Sequence, residues 1–146
     1  MKVDFYHLTV QPIERILPRL AERVLAEGGR MLVVTADERQ RAALDKLLWS
    51  YAPESFLPHA QAGGANDAAQ PLLIHAEPVA ANGARHILLA DGIWRDEALG
   101  FDRAFHLFDE ANIAAARTAW RALGDRDGVE RRYWKQDETG RWQQAA

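Results

Sequence analysis

The order of apolar runs in the first 51 residues constrains the fold most. Val3 to Leu8 alternates and carries aromatic and branched side chains, which is typical of a strand. Met31 to Thr35 is a continuous apolar run, which is typical of a strand covered on both faces. Each run precedes an amphipathic stretch of helical spacing. The resulting strand-helix-strand-helix order predicts right-handed crossovers and parallel strands.

Residues with special backbone preferences mark the ends of the two predicted helices. Pro12 suits the first turn of a helix, and Gly28-Gly29 ends it because glycine tolerates the left-handed C-cap conformation. Thr35 or Asp37 can cap the second helix. The apolar stripes of the two helices are Ile13, Ile16, Leu17, Leu20 and Val24, and then Ala43, Leu44, Leu47, Leu48 and Tyr51.

The rest of the chain extends this pattern. A long irregular stretch from Pro53 to Pro71 contains little that we expect to pack. Asp109 is predicted to cap a helix over roughly 110–123. The remaining strands are predicted at Leu72 to Ala76, His86 to Ala90, Phe101 to Phe108, Val129 to Lys135 and Arg141 to Gln143. We therefore predict one α/β domain over residues 1–146, with a mostly parallel, partly mixed sheet and helices on both faces.

Composition excludes several kinds of site. The 146 residues include no cysteine, which rules out disulfides, thiolate nucleophiles and cysteine metal ligands. The N-terminus has Asp4 and no long apolar run, so we predict no signal peptide, and no stretch approaches 18 apolar residues. A cytoplasmic protein is the simplest interpretation.

Charge is distributed unevenly along the chain. The net charge of −3 argues against a general nucleic-acid binder. Residues 117–146 hold seven Arg or Lys and five Asp or Glu, a net charge of +2, which leaves −5 on the first 116 residues. Either the C-terminal part is an ordinary solvated surface, or it meets an acidic partner.

Linear motifs for catalysis are absent. The segment Thr9 to Pro12 after the first strand has no glycine to admit a phosphate, and no Walker or G-x-G-x-x-G motif occurs. No serine lies in a G-x-S-x-G elbow. The five histidines have no metal-ligand spacing, and structural roles in strands are expected for four of them: His7, His75, His86 and His106. We predict no catalytic residue, metal or cofactor, although a site assembled only in space would escape this search.

Two groups of residues do indicate binding. Trp49 ends a predicted helix, and a proline-bracketed loop with Phe56, Leu57, Pro58 and His59 follows it. Aromatic residues on a surface loop anchor protein partners well. The alternative is that Trp49 and Phe56 close the edge of the sheet.

The second group lies on the helix after Asp109. Arg117 and Arg121 are four residues apart and share a face that Trp120 adjoins. Two guanidinium groups beside an indole suit an acidic peptide that ends in an aromatic residue. The alternative is an ordinary amphipathic helix whose core stripe is Ile113, Ala116, Trp120 and Leu123.

Taken together, these residues resemble the chi subunit family of bacterial DNA polymerase III. The specific part is Leu48-Trp49 followed by Glu54-Ser55-Phe56-Leu57-Pro58-His59, after a helix start at Asp37-Glu38-Arg39-Gln40. Phe5-Tyr6, Leu32-Val33-Val34, Leu44-Asp45 and the run from Ala116 to Arg121 extend the resemblance along most of the chain.

The resemblance implies a Rossmann-like three-layer fold without enzymatic activity. It implies an accessory subunit of the clamp-loader assembly that contacts nucleic acid mainly indirectly. The acidic C-terminal tail of single-stranded-DNA-binding protein, which ends in proline and phenylalanine, would bind at Arg117, Trp120 and Arg121. The psi subunit or an equivalent clamp-loader component, or a competing repair helicase, would bind at Trp49, Phe56, Pro58 and His59.

Two other functions compete with this interpretation. One is a nucleotide-dependent small α/β enzyme whose site is not visible as a linear motif. The other is direct nucleic-acid binding through stacking on Trp134 or Trp142, which the small charge excess of the C-terminal part disfavours.

Overall fold

A computed structural model describes residues 1–51 and 57–146. Within these residues, one sheet contains β1 (Lys2–His7), β2 (Met31–Val34), β3 (His59–Gln61), β4 (Leu72–His75), β5 (His86–Leu89), β6 (Arg103–Phe108), β7 (Glu130–Gln136) and β8 (Trp142–Gln144). The α-helices are α1 (Ile13–Ala26), α2 (Glu38–Ser50) and α3 (Ile113–Gly124). Short 3-10 turns lie at Asp67–Ala69, Asp96–Gly100 and Glu110–Asn112.

The sheet has the order β3-β4-β2-β5-β6-β1-β7-β8. Every neighbouring pair is parallel except β7 and β8, which form an antiparallel edge. The predicted mostly parallel, partly mixed sheet is confirmed, and each predicted strand lies within two residues of its observed position.

Helices cover both faces of the sheet, as predicted for a Rossmann-like three-layer fold. On one face, α1 and α2 pack on a cluster that includes Tyr6, Val33 and Ile74. On the other face, α3 packs on a cluster that includes Phe5, Val34 and Phe108. Alternate residues of each strand therefore belong to different cores.

The predicted helix ends are also observed. The side chain of Asp37 accepts hydrogen bonds from the backbone N–H groups of Arg39 and Gln40 at the start of α2. Gly28 follows α1 with a φ of +79°, in the left-handed region where glycine is favoured. Of the two candidate caps, Asp37 rather than Thr35 holds the N-terminus of α2.

One prediction was wrong. The sequence predicts an irregular stretch with little packing from Pro53 to Pro71, but this stretch contains β3 and a 3-10 turn. Leu57 and His59 are buried, and β3 pairs with β4. A three-residue strand has too few positions for a recognisable alternation, so its pairing is decided by the neighbouring strand.

Candidate functional site

The predicted basic and aromatic residues of α3 lie beside an open pocket of about 490 Å³. Its lining includes Arg117 and Trp120 from α3, with Tyr133 and Lys135 from β7. Arg121 is exposed on the same helix but does not line the pocket. We call this the α3 pocket.

Trp120 forms an aromatic wall of the α3 pocket, and its ring is held rigidly. The ring is half-buried and meets the rings of Phe5 and Tyr133 edge-to-face, at centroid distances of 5.3 and 5.6 Å. Such edge-to-face pairs hold an aromatic ring in one orientation. Trp120 therefore belongs partly to the core and partly to the pocket.

The two predicted arginines remain available to a ligand. Arg117 and Arg121 are both exposed, and within residues 1–51 and 57–146 neither forms an ion pair with a carboxylate. Nη2 of Arg121 lies 3.5 Å from the hydroxyl oxygen of Thr118, one turn earlier on the same helix. Burial raises the pKa of Tyr133, and the charge of Arg117 acts in the opposite sense. The positive field of Arg117 therefore extends to the pocket wall.

A third guanidinium group at this site was missed by the sequence interpretation. The Cζ atom of Arg131 lies 4.1 Å from the centroid of the Trp120 indole, in a cation–π contact. Arg131 also donates a hydrogen bond to the backbone carbonyl oxygen of Trp120. Gly124 leaves room for it, because a Cβ atom there would lie 2.8 Å from Nη2 of Arg131. No linear pattern connects residues 120 and 131.

Strand β7 supplies two further pocket residues that the sequence interpretation missed. Tyr133 and Lys135 lie two residues apart and thus on the same face of the strand. The sequence could have indicated them, because two residues at alternate positions of a predicted strand lie on the same face, here the face that α3 covers. Glu110 adds one exposed carboxylate to the lining, and its Oε1 lies 2.8 Å from Nε2 of buried His7.

The second predicted surface is divided by the structure. Trp49 is 61% exposed at the end of α2, and Pro58 is half-buried. His59 is buried, with its ring centroid 4.7 Å from that of Trp49. Its ring nitrogens lie 2.6 and 3.1 Å from the carbonyl oxygens of Leu57 and Asp45, so His59 ties β3 to α2. Phe56 lies outside the described residues.

A crevice of about 660 Å³ lies where nucleotides bind in doubly wound folds, at the carboxyl ends of β1, β5 and β6. No basic residue of the described chain lines it, and its four carboxylate residues are Glu14, Asp37, Asp91 and Asp109. Burial alone would raise the pKa of Asp91, but hydrogen bonds from Arg95 and the Ala36 N–H lower it. A negatively charged crevice does not suit phosphate groups.

The described part of the chain holds neither a candidate metal site nor a candidate membrane span. No three His, Asp or Glu side chains there are grouped so as to hold a metal ion. No helix among residues 1–51 and 57–146 has the length and apolar character needed to cross a membrane. The four histidines predicted in strands lie in β1, β4, β5 and β6.

Comparison with known proteins identifies the family. Residues 1–130 match the family model described as DNA polymerase III chi subunit, HolC. The DNA polymerase III subunit chi of Pseudomonas aeruginosa is 41% identical over 64 residues, which are 42% of this chain and 45% of that protein. That of Escherichia coli K12 is 31% identical over 78 residues, or 53% of each chain. The chain thus spans about half the length of the curated relatives it matches. The protein belongs to the DNA polymerase III chi subunit family, as the residues around Trp49 and Trp120 indicated.

Proposed function

We propose that this protein is a non-catalytic accessory subunit of DNA polymerase III in DNA replication. Its role is to link the clamp loader to single-stranded-DNA-binding protein. The acidic C-terminal tail of that protein binds at the α3 pocket, through Arg117, Trp120 and Arg121.

One observation carries this proposal: a rigid indole lines an open pocket and has exposed guanidinium groups beside it. The edge-to-face contacts with Phe5 and Tyr133 fix the Trp120 ring before any ligand arrives, so little ordering is needed on binding. Arg117 and Lys135 supply positive charge at the lining for the carboxylates of the tail. The aromatic side chain that ends the tail stacks against Trp120.

The exposure of these cations sets the strength of the contact. Ion pairs at an open surface contribute about 0.2–1 kcal/mol each and are screened by salt. Tail binding is therefore of modest affinity and weakens as salt increases.

Isothermal titration with a synthetic acidic peptide ending in Pro-Phe tests the site. The double variant Arg117→Ala, Arg121→Ala is expected to bind at least about tenfold more weakly, which corresponds to about 1.4 kcal/mol. The control is Arg39→Ala, Lys46→Ala on α2, which removes the same charge from exposed residues that line neither the pocket nor the crevice. Unchanged affinity in the first variant rejects the site assignment.

The clamp-loader contact is proposed at Trp49 and Pro58, with Phe56 as a further anchor. Trp49 offers a large exposed indole, and buried His59 positions it from beneath. The partner is the psi subunit or an equivalent clamp-loader component, and a repair helicase competes for the same surface. His59 thus acts through Trp49 rather than by touching the partner.

Co-elution with the psi subunit on size exclusion tests this second surface. Trp49→Ala is expected to lose co-elution, whereas Arg117→Ala, Arg121→Ala retains it. Retention by the Trp49 variant contradicts the assignment.

The absence of catalysis is tested at the acidic crevice. A nucleotide with magnesium is expected to leave the melting temperature unchanged, since four carboxylates line the crevice. A clear upward shift would favour the enzyme alternative.

A further inference from the structure

A second basic and aromatic site lies on the other face of the sheet, beside α1. It is a groove of about 470 Å³ between α1 and strands β1, β6, β7 and β8, and we call it the α1 groove. Four arginines line it: Arg19 and Arg23 from α1, Arg103 from β6 and Arg132 from β7. Three aromatic rings line it as well: Tyr6, Trp134 and Trp142.

The charge of this groove is opposite to that of the chain. Among residues 1–51 and 57–146, no Asp or Glu lines it, whereas four of the chain's 18 basic residues do. The carboxylate of Asp4, whose side chain is fully buried, pairs with two of these arginines, Arg103 and Arg132. The groove therefore carries a local charge of about +3 on a protein with a net charge of −3.

Asp4 fixes two of the four guanidinium groups. Its Oδ2 lies 2.9 Å from Nε and 2.8 Å from Nη2 of Arg103. Arg132 approaches the same carboxylate through Nε at 2.8 Å and Nη2 at 3.2 Å. Because Asp4 engages Nε and Nη2 of each arginine, the contact with Asp4 does not use their Nη1 groups, and these can donate to a ligand. This part of the groove is pre-organised for an anion.

The aromatic side chains form a continuous wall. Nε1 of Trp134 donates a hydrogen bond to Oδ1 of Asp4 at 2.9 Å, which fixes the indole. Tyr6 stacks with Trp134 at a centroid distance of 6.4 Å and meets Trp142 edge-to-face at 5.0 Å. Both indoles are half-buried, so each keeps a part of its surface in the groove.

We propose that the α1 groove binds single-stranded nucleic acid directly. Phosphates bind to the arginines of α1 and of the sheet, and bases stack on Trp134 and Trp142. Fixed indoles next to separate cations match a ligand that carries a ring and an anion in every unit, which describes a nucleic-acid strand. An acidic peptide with a single terminal ring would use this wall only in part.

This site is independent of tail binding, because the α1 groove and the α3 pocket share no lining residue and lie on opposite faces. Arg132, Trp134 and Trp142 all follow residue 130, where the match to the family model ends. The strand contact supplements the indirect contact through single-stranded-DNA-binding protein.

Fluorescence anisotropy of a labelled oligo-dT at low salt tests the proposal. Non-specific binding of this kind has dissociation constants of about 10⁻⁴ to 10⁻⁶ M at physiological salt. For the double variant Arg19→Ala, Arg23→Ala, the slope of log K against log salt is expected to fall in magnitude by about 1.4, for two lost phosphate contacts. Arg39→Ala, Lys46→Ala serves as the control with the same charge change.

A second variant tests stacking without removing the packing of the edge strand. Trp142→Leu keeps an apolar side chain against Tyr6 but loses the flat ring, and a loss of about fivefold or more in oligo-dT affinity is expected. Arg117→Ala, Arg121→Ala is expected to bind oligo-dT like wild type, so this result does not depend on tail binding.

Three outcomes would overturn the proposal. One is no binding of oligo-dT by the wild-type protein at low salt. Another is an unchanged salt slope in Arg19→Ala, Arg23→Ala. The third is that the acidic tail peptide, rather than oligo-dT, loses affinity in that variant, which would assign the groove to a peptide.

Discussion

The α3 pocket and the α1 groove lie on opposite faces of β1 and β7, and they are assembled in different ways. The arginines predicted for the pocket come from one helix and have no carboxylate partner within residues 1–51 and 57–146. The groove combines arginines from α1, β6 and β7, and a buried carboxylate holds two of them. Residues on one helix can be recognised as neighbours from their spacing in the sequence. Residues from several strands and a helix can be recognised as neighbours only when the order of the strands is known.

The largest expected effect follows from removing the carboxylate beneath the groove. Asp4→Ala leaves Arg103 and Arg132 without their partner, and breaking such a buried pair costs about 3 kcal/mol. Urea denaturation measures this loss. Asp102→Ala, which breaks an exposed pair with Arg85, is the matched control and is expected to cost less than about 0.5 kcal/mol. Equal losses in the two variants would contradict the role of Asp4.

The second expected effect is a difference in how the two faces change the stability of the protein as pH falls. Burial lowers the pKa of His106, on the α3 face, from 6.5 to about 4. In the unfolded chain the imidazole of His106 is protonated below about pH 6.5, whereas in the folded protein it is protonated only near pH 4. His106 therefore lowers the stability as pH falls through this window, by about 2 kcal/mol between pH 6 and 4.5.

The variant His106→Leu checks this window. Its free energy of unfolding is expected to fall less than that of wild type over the same pH range. On the groove face, burial would raise the pKa of Asp4, but hydrogen bonds from Trp134, Arg132 and Arg103 lower it overall. Its contribution is thus lost only as pH falls below 3.8. Parallel pH profiles of His106→Leu and wild type would contradict this account.

A smaller effect tests how the pocket wall is supported. Arg131→Ala removes the cation–π contact with Trp120 and a hydrogen bond to its carbonyl oxygen, at a cost of about 1 kcal/mol. We expect tail affinity to fall less than in Arg117→Ala, Arg121→Ala, because Arg131 acts through the ring. A larger loss of tail affinity in Arg131→Ala would make it the main anion contact instead.

The smallest effect is expected at the exposed indole of α2. Trp49→Ala is predicted to change the free energy of unfolding by about 0.5 kcal/mol, since most of the ring is in solvent. Tail and oligo-dT affinities should both stay at the wild-type value. A loss of several kcal/mol would show that Trp49 closes the sheet edge instead of forming a docking surface.

Local patterns predicted most of the fold, and the reason is visible in single elements. Asp37 caps α2 and Gly28 ends α1, because both signals act within one helix turn. Strand β3 escaped prediction, because its three residues are defined by pairing with β4. Residues 117 to 121 lie on one helix, so their proximity followed from helical spacing.

The other residues of the two sites could not be predicted, because the order of the strands decides which of them are neighbours. The net charge of only +2 over residues 117–146 disfavours base stacking on Trp134. That net charge leaves out Arg19, Arg23 and Arg103, which the sheet brings to the same groove. Arg131 reaches Trp120 only because β7 returns beside α3.

The independence of the two sites is the central claim, and one titration tests it most directly. The affinity of labelled acidic tail peptide is measured without and with saturating oligo-dT, at a salt concentration where both bind. The account predicts the same dissociation constant within about twofold, because distant surface charges are screened and no lining residue is shared. A dissociation constant that rises in proportion to the oligo-dT concentration would show one shared site and contradict it.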